Sequence, residues 1–122
     1  MEIPAGCQEL VSAATRLFGV IGATMSADYY GDRQGGKLYL LAPQWSRLMM
    51  RGDIVDGKLS KFEFIIHDHD GEHLQGEYWV KPNPPEELLE ALFAKVWEEL
   101  RFTSTEAITA FAGVKEELRK LL

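Results

Sequence analysis

The sequence predicts an α+β fold: a single domain over residues 1–122, with an antiparallel β-sheet, an N-terminal helix and two C-terminal helices packed on one face. Three observations predict it. An apolar stripe at helical spacing opens the chain, and two more such stripes, flanked by capping signals, close it. The stretch between them is cut by turn signals into short apolar and aromatic runs. Those runs follow one another too closely for the crossovers that parallel strands need.

Gln8 to Ala23 reads as the first helix, with Leu10, Ala14, Leu17 and Ile21 on one face and Val11 and Phe18 widening it. Gly19 and Gly22 fit either helix termination or close packing on a sheet. Ser26 to Gly31 and Lys37 to Leu41 read as strands. The glycine-rich GDRQGG between them lacks the following helix and the GK[ST] of a phosphate-binding loop, so it reads as a hairpin turn. Ala42 to Met50 fits a short helix, from Trp45, Leu48 and Met49, or an edge strand. Arg51-Gly52-Asp53 reads as a turn, Ile54-Val55 as a short strand, and Asp56-Gly57 as a further turn.

Lys61 to Lys81 reads as a β-hairpin and holds all three histidines. A three-residue loop, His69-Asp70-Gly71, sorts apolar from polar side chains best. It sets Phe62, Phe64 and Ile66 opposite Tyr78, Gly76 and Leu74, and Glu63, Ile65 and His67 opposite Glu77, Gln75 and His73. After Pro82, Asn83 suits an N-cap and Pro84 the first turn of a helix through Leu100. Thr103-Ser104-Thr105-Glu106 has the form of a capping box for the last helix.

The net charge of −6 excludes the basic footprint of a nucleic-acid binder and disfavours an anionic membrane surface. With 46% apolar and 26% charged residues the chain is globular, and its single Cys7 fits a reducing, cytoplasmic setting. MEIPAG has no basic residue ahead of the apolar run, so a signal peptide is not expected, and no apolar run spans a bilayer. No nucleophile motif is present, so neither an enzyme nor a cofactor is expected. His67, His69 and His73 form a candidate metal cluster, weighed below a polar, soluble loop tip because no zinc-binding spacing accompanies them.

The expected site is a partner-binding face on this hairpin: Glu63, His67, Asp68, Asp70, Glu72, His73 and Glu77, with Trp79 as an aromatic anchor. Its acids suit a basic protein partner. A small, acidic α+β chain without catalytic motifs resembles the bacterial immunity proteins that neutralise secreted toxins. The segment KFEFIIHDHDGEHLQGEYWV resembles the strand–DG–strand segment of the YezG-like immunity family. That family would place a helix immediately before the hairpin, whereas here the long helices follow it. The resemblance implies an inhibitor that occludes the active site of a basic, nuclease-type toxin with acidic residues. The alternative class is a small, acidic secretion-type chaperone binding an effector segment. Either a monomer or a homodimer is compatible with the sequence.

Overall fold

The computed structural model describes residues 2–67 and 74–122. After a short 3-10 turn at Ala5–Cys7 come α1 (Gln8–Val20), β1 (Ser26–Gly31), β2 (Gly35–Leu41), β3 (Leu48–Val55), β4 (Lys58–His67), β5 (Leu74–Val80), α2 (Glu86–Leu100) and α3 (Thr105–Leu121). The five strands form one antiparallel sheet in sequence order, with β3 at its centre and β1 and β5 at its edges.

Side chains alternate between the two faces of the sheet: β3 buries every second one, whereas β4 buries Phe62 to Ile66 without a break. Tyr29, Leu38, Leu40, Leu48, Met50, Ile54, Phe62, Phe64, Ile66 and Val80 join one core with α1, α2 and α3. Aromatic rings carry that core between layers. Phe64 of β4 meets Phe93 of α2 at 5.2 Å and Phe111 of α3 at 6.0 Å between ring centroids. Trp45 lies between Phe18 of α1 and Phe102 of the α2–α3 connection, 6.2 Å from each. It is half-buried and packs against the edge of the core.

Several boundaries differ from the sequence reading. α1 ends at Val20: Gly22 takes φ +83° and Ala23 N–H donates to the Phe18 carbonyl at 2.9 Å, so these glycines terminate the helix. Arg51-Gly52-Asp53 is no turn but the middle of β3, because Leu48, Met50 and Ile54 alternate inward on both sides of it. The edge strand or helix expected from Ala42 to Met50 is a turn followed by the start of this central strand. The Asp56-Gly57 turn forms as expected, with φ +53° and +76°, the left-handed pair that a tight two-residue hairpin requires. Asn83 does not cap α2. It sits at φ +55°, donates its N–H to the Leu122 carbonyl at 2.7 Å, and the helix begins at Glu86.

The cap of α3 falls one residue later than the expected Thr103–Glu106 box: the Ser104 hydroxyl accepts the Ala107 N–H at 3.0 Å. Ser104→Ala therefore orphans one helix-terminal donor and is expected to cost about 1 kcal/mol in urea denaturation.

Candidate docking surface

The three helices share a core with one side of the sheet, and the alternation that feeds this core sends the remaining side chains to the opposite face. The register arranges them in three cross-strand rows. Leu41, Met49, Ile65 and Glu77 form the first. Asp28, Tyr39, Arg51, Glu63 and Trp79 form the second, and Tyr30, Lys37, Asp53 and Lys61 the third. Aromatic rings stand at both ends of this face. Tyr30, 67% exposed, meets Tyr39 edge-on at 5.7 Å. Trp79, 52% exposed, has the Lys61 ammonium 5.4 Å and the Lys81 ammonium 5.3 Å from its ring centroid.

The hairpin register keeps the expected faces but slides by two residues. Phe62 pairs with Val80, Glu63 with Trp79, Phe64 with Tyr78 and Ile65 with Glu77, and the pairing shifts at His67, which lies opposite Leu74 rather than His73. A two-residue slip preserves the side-chain period, so polarity alone does not distinguish the two alignments. The loop His69-Asp70-Gly71 and the site candidates Asp68, Asp70, Glu72 and His73 lie outside the described residues. His67 ends β4 half-buried, its N–H donated to the Arg47 carbonyl at 2.8 Å. Among the described residues no three His, Cys, Asp or Glu side chains converge on a metal-sized site. Cys7 is buried, and that burial pushes its thiol up.

Glu63 is a correction to the expected acidic face. It is 1% exposed and presents no carboxylate to a partner. Arg51 Nη2 holds one oxygen at 2.7 Å and Lys61 Nζ the other at 3.1 Å. Burial alone would raise its carboxyl. Hydrogen bonds with Glu77, Arg51 and Lys61, aided by the guanidinium charge, outweigh burial and hold it down to about 2. Glu77 is exposed, 3.8 Å from Arg51, and is pushed up by its hydrogen bond to Glu63, by the Glu63 charge and by desolvation. Lys37 is paired with Asp53 at 2.8 Å. The face is therefore close to charge-balanced.

The net charge sits elsewhere. Residues 68–73 hold three acids and no Lys or Arg, and residues 82–122 hold eight acids against five bases. The rest of the chain balances eight against eight.

Because Glu77 is raised beside Glu63, its ionisation opposes folding. That contribution is favourable below its ordinary value and is lost as pH rises through the raised one. Glu77→Gln is expected to raise the urea midpoint at pH 7 and to lose this advantage near pH 4. An unchanged midpoint at pH 7 would show that the two carboxylates do not repel.

Asp28, Tyr30 and Tyr39 belong to this face although the sequence reading passed over them. The signal was present: SADYYG and KLYLL alternate as strictly as the hairpin does. No family model, curated protein or solved structure matches this chain, and its function is inferred from this surface.

Proposed function

We propose that this chain is a protein-binding inhibitor, in its most concrete form an immunity protein that neutralises a basic toxin by docking over its active site. The supporting observation is a sheet face that shares no core with the helices and carries Tyr30 and Trp79 in the open, with the half-buried Tyr39 beside Tyr30. Rigid aromatics are the side chains that most often anchor protein interfaces. The internal ion pairs leave little uncompensated charge to desolvate on that face. The surplus acid of residues 68–73 and of the last two helices supplies a longer-range field that draws in a basic partner and weakens with salt. This reading needs no cofactor and no catalytic residue, and implies action in the cytoplasm.

Low-salt co-purification from the native cell, followed by mass spectrometry and light scattering, tests it. The expected result is one basic protein in stoichiometric complex, with Trp79→Ala or Tyr39→Ala weakening binding by about tenfold or more. A partner indifferent to both substitutions sinks the surface. A homodimer carrying an extended effector segment would point instead to a chaperone.

A further inference from the structure

β1 is an edge of the sheet, and among the described residues no strand pairs with its outer side. The Asp32 N–H donates to the Gly35 carbonyl at 3.0 Å across the β1–β2 turn. Backbone direction alternates along an antiparallel pair, so Tyr30, Asp28 and Ser26 also bond inward, while Ala27, Tyr29 and Gly31 direct their N–H and C=O groups outward. Such a row is a template for another strand. Edges are commonly guarded by Pro, Lys or a bulge. β1 reads SADYYG and has no Pro or Lys, and its register runs unbroken from Ser26↔Leu41 to Gly31↔Gly36.

Beside this edge, on the open face, lies a depression of about 570 Å³ lined by Asp28, Tyr30, Lys37, Tyr39 and Leu41. Lys37 is engaged by Asp53. Asp28 is exposed and accepts the Ser26 hydroxyl at 3.0 Å, but it forms no ion pair among the described residues. A carboxylate without a cation beside two tyrosine rings fits a Lys or Arg side chain, through charge and cation–π attraction together.

We propose that the β1 edge accepts an extended basic segment of the partner as an added strand, with a Lys or Arg of that segment seated on Tyr30 and Tyr39 against Asp28. Main-chain pairing supplies affinity and the depression supplies selectivity. The inference rests on the docking reading and adds the chemistry of what docks. Charge complementarity selects this occupant: a second copy of the chain would bring another Asp28 to the same edge.

The test uses the isotope-labelled full chain titrated with a capped peptide, Thr-Val-Thr-X-Thr-Val-Thr, in which X is Lys, norleucine or Glu. NMR shifts are expected along Ser26 to Gly31 and at Tyr39 and Leu41, with Lys binding tightest. Asp28→Asn is expected to weaken the Lys peptide about tenfold and leave the norleucine peptide unchanged. Ala27→Pro removes an outward N–H that the ladder does not use, and is expected to abolish binding of all three with the fold intact. Shifts mapping away from β1, or equal affinity for Lys and Glu, overturn the inference. So does a concentration-dependent dimer that Ala27→Pro abolishes, because the edge would then belong to a second copy. The peptide probe needs no natural partner, so its failure leaves the docking reading standing. A partner indifferent to Trp79→Ala and Tyr39→Ala overturns the docking reading while leaving the peptide result in place.

Discussion

Phe64→Ala is expected to destabilise the fold by about 4 kcal/mol, a large share of what a domain of this size has to spare. Phe64 is fully buried and touches three rings, Phe62 at 5.3 Å, Phe93 at 5.2 Å and Phe111 at 6.0 Å. It is the point at which the sheet meets both C-terminal helices. Removing the ring loses its transfer free energy and leaves a cavity. Collapse into that cavity is resisted because Phe93 and Phe111 already brace each other at 4.8 Å. Urea denaturation should show a lower midpoint with an unchanged slope, the signature of lost stability in a fold that still unfolds as one unit. Phe64→Leu keeps most of the volume and should cost about 1 kcal/mol. A loss under about 1 kcal/mol for the alanine variant would mean that the helices hold to the sheet without this ring.

The parts of the fold that were legible in the sequence are those in which one local pattern decides the answer. α2 follows from a long apolar stripe, α3 from its stripe and the polar run before it, although the cap is Ser104 and not the Thr103 of the expected box, and the β1–β2 and β3–β4 turns from glycine beside polar residues. β3 was harder to read. Its inward residues Leu48, Met50 and Ile54 alternate correctly, but Arg51, Gly52 and Asp53 interrupt them with a sequence that locally resembles a turn. Only the neighbouring strands show why those residues are tolerated: Arg51 and Asp53 find Glu63 and Lys37 on the open face. The hairpin register failed for a similar reason, since a slip of two residues leaves both faces equally well sorted.

The candidate site was legible in composition and not in geometry. Trp79 was identified from the sequence as an anchor and is exposed, while Glu63 was expected on the surface and is buried. Counting charges along one hairpin does not reveal that a strand away Arg51 neutralises the central acid. It also hides Tyr30 and Tyr39, which reach the same face from two strands earlier in the chain. The surface is assembled by sheet order, and only the pairing of all five strands brings its two aromatic ends onto one plane.

Arg51→Met is expected to cost about 3 kcal/mol, because it leaves the buried Glu63 carboxylate with Lys61 alone. That is the low end for a broken buried pair, and the remaining lysine is the reason. Adding Glu63→Leu should recover most of the loss, since replacing both charges by apolar groups leaves nothing unpaired. Full loss in the double variant would show that packing of the guanidinium stem, rather than charge, holds this part of the sheet. The pH dependence separates the same alternatives. Glu63 is held down to about 2 in the folded chain against an ordinary value of 4.5. The unfolded chain therefore takes up the proton first as pH falls. The stability this carboxylate contributes is full above about 4.5 and is lost as pH drops through about 2. The gap in stability between the native chain and Arg51→Met should thus be widest at pH 7 and narrow steadily below pH 4.5. A gap that stays constant from pH 7 to pH 2 would mean that the carboxylate charge plays no part in it.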